Sequence, residues 1–155
     1  MPDVNGKVPY ICGLLTELDP PQQGRVKGFY ERIADICAEV LGKRAFVPHE
    51  HYDPVKHASF APQDVDAAER RQVCEQTSHL IVVPVAPSWG GGIEVEMAHR
   101  SGVPVVIVAE RAKLDARKVS RLLLGNPAVS KVIAYESEDD ALKQLRGTLG
   151  MDRAA

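Results

Sequence analysis

Apolar and polar residues fall in blocks along the chain rather than alternating singly. The runs "VPYICGLL" (8–15), "HLIVVPV" (79–85), "VPVVIVA" (103–109) and "VSKVIAYES" (129–137) have strand length and little polar interruption. Such runs predict strands buried on both faces. A shorter run, "RAFVP" (44–48), predicts one more strand. Between them the period changes. Phe29, Ile33, Ile36 and Val40 recur at helical spacing within 26–41. Helices are also predicted for "DVDAAERRQVCEQT" (64–77), with Asp64 or Asp66 as cap, and for "IEVEMAHRSG", closed by Gly102. "DARKVSRLLLG", stopping at Gly125, and "EDDALKQLRGTLG" complete the set. "LDPPQQGR" reads as a loop because Pro20 and Pro21 cannot sit in a helix interior. "HEHYDPVKHASFAPQ" has no period and reads as a long loop, and "GMDRAA" as a frayed tail.

Strands alternating with helices predict an α/β fold: one flavodoxin-like (Rossmann-like) domain over residues 1–155, with its core at about 8–149. The expected architecture is a three-layer sandwich around a five-stranded parallel sheet of order 2-1-3-4-5. Ligands of such sheets bind at the C-terminal strand edges where the order reverses. Here that crevice would lie between "CGLLTELDPP" and "APSWGGGIEVE".

Composition narrows the partners. A net charge of -2 gives no electrostatic reason to expect nucleic acid or an anionic membrane. No apolar stretch approaches the roughly 18 residues of a membrane span, and "MPDVNGKVPYICGLL" lacks the basic start of a secretory signal. Three scattered cysteines, Cys12, Cys37 and Cys74, suit reduced thiols in a cytoplasmic protein, each a small buried apolar residue.

The chemistry concentrates around Gly90, Gly91 and Gly92, directly after a buried strand. They either make a tight bend or bare the backbone so that a ligand can approach. A helix starting there offers free N–H groups and a positive dipole end. Ser88 could cap it or donate to an anion. Glu94 would fall in or near the first turn, where the dipole favours its ionised form. An ionised, positioned carboxylate can be a nucleophile or stabilise a developing cation. Glu96 stands four residues before Arg100, the spacing of a surface ion pair. Trp89, the only tryptophan, could stack on a base or cover the core. The glycines match neither a P-loop nor the GxGxxG spacing.

"PYICG", "FYERI" and "APSWGGGIEVEMAHRSGVPVVIV", in this order over about residues 10–108, resemble the nucleoside 2-deoxyribosyltransferase superfamily, with the greatest likeness to deoxynucleoside 5'-monophosphate N-glycosidases. The resemblance implies a retaining attack on a nucleoside. Glu94 would attack the anomeric carbon and expel the base, and water or a second base would resolve the ester. Tyr10 would orient Glu94. Gly13, Ser88, Trp89, Gly90 and Gly92 would contact the substrate, and His49 and His51 would lie near the base. Where those glycosidases carry a serine and an arginine for the phosphate, this chain has Leu14 and Thr16. Their aspartate acting on the leaving base falls on Arg70, with Asp66 and Glu69 as possible substitutes, and the acid often opening the third strand is Ser78 or His79. No metal or other cofactor is implied, "HEHYDPVKH" notwithstanding. A homodimer or larger assembly is expected, with Ser120 as the residue a neighbour could contribute.

The expected activity is therefore hydrolysis or transfer at the N-glycosidic bond of a nucleoside or its 5'-monophosphate. A non-catalytic nucleotide-sensing module is the alternative, and a glycosidase acting on a dinucleotide cofactor a third.

Overall fold

A computed structural model describes residues 6–154; the first five residues, where the absence of a signal was partly read, and Ala155 lie outside it. The protein is α/β, with four parallel strands in the order β1-β2-β3-β4: β1 (Val8–Gly13), β2 (Thr77–Val83), β3 (Val105–Glu110) and β4 (Val129–Tyr135). The fifth expected strand is a correction. "RAFVP" shrinks to one bridge, Phe46 beside Tyr10, on the outer edge of β1. Two hydrogen bonds make it, Ile11 N–H to the Phe46 carbonyl at 3.0 Å and Phe46 N–H to the Pro9 carbonyl at 2.7 Å. Pro48 has no N–H to extend the ladder.

Helices cover both faces, as the uninterrupted apolar runs require. Ile11, Ile81, Val83, Val106, Val108, Ile133 and Tyr135 point to α1 (Pro20–Leu41) and α7 (Glu138–Ala154). Tyr10, Cys12, Leu80, Val82, Val105 and Ile107 point to the other layer, where α3 (Pro62–Gln76) places Val73 and α4 (Trp89–Arg100) places Val95 and Ala98. Among the described residues no helix is long and apolar enough to cross a membrane.

Several boundaries move, each for a local reason. α1 begins at Pro20, not Val26: the two prolines occupy its first turn, where a missing N–H costs nothing, and Asp19 caps it by accepting from Gln22 N–H at 2.9 Å. α3 begins at Pro62, so neither Asp64 nor Asp66 is its cap. A short α2 (His49–Tyr52) interrupts the expected long loop. The helix expected over 115–125 is two short ones, α5 (Arg111–Asp115) and α6 (Arg121–Leu124). Arg117 breaks it with a φ of 55°, in the left-handed region. "GMDRAA" is not frayed up to Ala154: α7 runs to that residue, and Asp152 pairs with His79 at 3.4 Å.

Candidate functional site

The glycines do not make a bend. Gly90, Gly91 and Gly92 are in the first turns of α4, and none has a positive φ. Ser88 is the cap: its Oγ accepts from the Gly91 N–H at 3.1 Å. A Cβ at Gly90 or Gly92 would meet nothing within 4 Å, so no protein contact demands glycine at either position. Gly91 is different. Its Cβ would stand 3.4 Å from both Cys12 Sγ and Ser88 Oγ, an ordinary van der Waals contact.

Because Trp89 is the first residue of α4, Glu94 falls in the second turn, beyond the reach of unpaired N–H groups. The expectation that the dipole holds it ionised is therefore corrected. Glu94 is 8% exposed, and burial pushes its carboxyl above the ordinary range against the lowering pull of Cys12 and Tyr10. Those partners define the centre. Tyr10, fully buried on β1, donates its hydroxyl to Glu94 Oε1 at 2.6 Å. Cys12 lies two residues along the strand, hence on the same face. Its thiol also points at the Gly91 carbonyl, 3.7 Å away. Sequence reading missed Cys12 as a partner of Glu94, although the two-residue spacing from Tyr10 carried that signal.

Glu69 of α3 completes the group. Burial, then the charges of Glu94 and Asp66, lift its carboxyl to about 7. Asp66 is not a member. It is exposed and holds Arg70 across one helical turn at 3.0 Å. Of the two proposed acids, the fold brings only Glu69 into electrostatic contact with Glu94. Ser78 and His79 are linked to each other at 3.1 Å, with His79 turned to Asp152.

The histidines separate. His49 is a correction: it is buried against α1, with Nε2 2.9 Å from Glu31 Oε1 and its ring 6.3 Å from that of Tyr30, and it lines no cavity described here. His57 Nδ1 accepts from the Asp53 N–H at 2.9 Å. His51 lies on the Tyr10 side, away from the wall of the larger cavity. Its ring stacks on Phe46 at 4.3 Å, and Phe46 stacks on Tyr10 at 5.5 Å, a three-ring pile from the surface to the buried hydroxyl. Glu31, His49 and Glu50 could together offer three ligand atoms to a cation. Glu50, however, already takes a bidentate bond from Arg44, both contacts at 2.9 Å.

A cavity of about 780 Å³ opens at the C-terminal ends of β1 and β2, at the mouth of α4. Gly13, Ser88, Trp89, Gly92 and Ser120 line it, joined by Cys12, Glu17 and Lys118. Trp89 is 91% exposed and so does not cover the core. Ser120 reaches this cavity within its own chain and caps α6. Glu96 joins the rim while pairing with Arg100 at 3.1 Å, as its spacing predicted. Gly90, His51, Glu94 and Tyr10 are not on its wall. Cys12 both lines the cavity and interacts with Glu94, so it stands between the cavity and the Glu94 cluster. Leu14, where the resembling glycosidases have a phosphate-binding serine, is a buried apolar residue of the cavity.

Gly13 has a packing reason of its own. A Cβ there would come within 2.3 Å of Tyr30 Cζ, and the Tyr30 hydroxyl donates to the Leu14 carbonyl at 3.0 Å. Gly13→Ala is expected to destabilise by about 1–3 kcal/mol, the usual cost of overpacking, read as a lower midpoint in chemical denaturation. Gly90→Ala and Gly92→Ala should do the reverse, each stabilising by up to about 0.5–1 kcal/mol through the better helix former. Of the two only Gly92 lines the cavity. Ligand affinity should therefore fall in Gly92→Ala and hold in Gly90→Ala, measured by titration beside the melting curves.

Neither a protein-family model nor a curated protein matches the sequence. A solved structure described as a conserved protein from Enterococcus faecalis V583 is similar, with a TM-score of 0.66 and 18% identity over 92% of this chain and 98% of that one. At that identity the likeness shows the α/β fold alone.

Proposed function

We propose that the protein cleaves or exchanges the N-glycosidic bond of a nucleoside or nucleoside 5'-monophosphate, as its resemblance to the nucleoside 2-deoxyribosyltransferase superfamily implies. The observation that carries this reading is the buried Tyr10–Glu94 hydrogen bond at 2.6 Å beside a second carboxyl, Glu69. Retaining chemistry at an anomeric carbon needs an anion on one side and a proton source on the other. Burial raises the Glu94 carboxyl while Cys12 and Tyr10 pull it back toward the anion, and burial together with Glu94's charge keeps the proton on Glu69. Two carboxyls with different neighbours thus take different roles.

In the proposed reaction a Glu94 oxygen forms a bond to C1' as the C1'–N bond breaks. The bond's electron pair leaves with the base, which takes the proton from Glu69. Water or a second base then attacks C1', giving its proton to the Glu69 carboxylate, and Glu94 departs as carboxylate. The sugar approaches by the α4 mouth, with Trp89 as a stacking surface and the stack of Phe46 and His51 beyond Tyr10. In this reading the protein works as a homodimer without cofactor, and the apolar Leu14 argues against dependence on a 5'-phosphate.

A specific observation favours a second reading, a nucleotide-binding module without catalysis: neither Glu94 nor Tyr10 lines the 780 Å³ cavity, which meets the Glu94 cluster only through Cys12. Incubating the full chain with nucleosides and 5'-monophosphates, with and without a second base, separates the two. Free base seen by chromatography supports hydrolysis, and exchange alone supports transfer. Saturable binding without either, unchanged in Glu94→Gln, supports the module.

A further inference from the structure

A second cavity, of about 430 Å³, lies at the C-terminal ends of β3 and β4 on the face covered by α1 and α7. It is away from α4 and shares no lining residue with the larger one. Its size is within the roughly 300–1,000 Å³ typical of small-molecule sites. Val26, Phe29 and Val85 give it apolar walls. Tyr135 is 6% exposed, yet its hydroxyl has no hydrogen-bond partner among the described residues and is not sealed off from the cavity it lines. That hydroxyl, claimed by no protein group and open to the cavity it lines, is free to donate to or accept from a ligand there.

The charges around that hydroxyl sort into used and unused. Glu136 holds Arg111 at 2.6 Å, and Glu138 holds Arg32. Lys113, nearby in the chain, is spent on the Val85 carbonyl. Two groups remain. Arg25, from the first turns of α1, and Glu110, at the end of β3, line the cavity with no ion-pair or hydrogen-bond partner for their side chains among the described residues. Both act electrostatically on Tyr135, with opposite sign. Across one small cavity they present a planar donor fork and a carboxylate. The fork matches a ligand carboxylate, and the carboxylate an ammonium.

We propose that this cavity binds a small zwitterion of the α-amino-acid class, its carboxylate on Arg25, its ammonium on Glu110 and its apolar side chain against Phe29 and Val85, with Tyr135 completing the polar contacts. The site is independent of the Glu94 cluster and of the glycosidic reading.

Calorimetric titration of the full chain tests it, using L-leucine and L-phenylalanine against the two half-molecules of leucine, 3-methylbutylamine and 4-methylpentanoate. An amino acid should bind at least about tenfold more tightly than either half, because each half forfeits one charge-assisted contact. Arg25→Gln and Glu110→Gln, both partly solvent-exposed positions, should each weaken amino-acid binding about tenfold, and Tyr135→Phe a few-fold. Unchanged melting curves would show that the fold is kept. Absence of amino-acid binding at millimolar concentration overturns the proposal, as does equal affinity for a half-molecule, or affinity that survives the Arg25→Gln/Glu110→Gln double variant.

Discussion

Glu94→Gln is expected to remove base release by about 10³-fold or more, since loss of a covalent nucleophile leaves only binding and electrostatic assistance. The same substitution should leave the fold intact or raise its melting temperature. Glutamine keeps an oxygen for the Tyr10 hydroxyl, and the cost of burying a charge disappears. Glu94 is buried with its carboxyl held above the ordinary range by that burial, so the wild-type protein keeps this group at the expense of stability. Loss of activity with unchanged or higher stability would locate the effect in chemistry rather than folding. Full activity in Glu94→Gln would end the nucleophile assignment.

Glu69→Gln carries the second large effect, a fall of about 10²–10⁴-fold in the rate of base expulsion, the usual worth of a positioned acid. The pH dependence gives a sharper reading. With its carboxyl lifted to about 7, Glu69 holds its proton below that pH and loses it above, so the wild-type rate should decline as pH rises through about 7. That limb should vanish in Glu69→Gln. Stability has the same sign. The folded state binds the proton more tightly than the unfolded chain, so Glu69's contribution is complete below the ordinary glutamate range and is lost as pH rises toward 7. Melting temperatures of wild type and Glu69→Gln should therefore diverge between about pH 4.5 and 7, with the wild type losing ground as pH rises. A rate profile unchanged by Glu69→Gln would remove it from the reaction.

The layers of this protein were legible in its sequence because continuous apolar runs and helical spacing report burial directly. β1 and β4 fall within predicted runs, β2 and β3 overlap theirs, and α1, α3, α4 and α7 overlap predicted helices. The helix start at Pro20 was misjudged because proline was read as a breaker, when in a first turn it is a beginning, and the start at Pro62 because the segment before Asp64 shows no apolar period. The strand at 44–48 was over-read because five residues ending in proline can be apolar without having a ladder to join. At the site, Ser88 as cap and the Glu96–Arg100 pair followed from spacing alone. Which of Asp66 and Glu69 faces inward did not. That depends on how α3 lies across α4, a tertiary matter, although the four-residue spacing of Asp66 and Arg70 already carried the pairing that takes Asp66 to the surface. His49 was misplaced for a similar reason: its partner Glu31 belongs to another helix.

The run Gly90, Gly91 and Gly92 in the first turns of α4 has a thermodynamic corollary. Each glycine gives up roughly 1 kcal/mol of helical tendency relative to alanine, so that turn is wound mainly by the Ser88 cap and the neighbouring Cys12. Local unwinding there is cheaper than in the middle of the helix. A guest that accepts those amides supplies the missing order and loses affinity in doing so, which ties the winding of one helical turn to whether the mouth is filled.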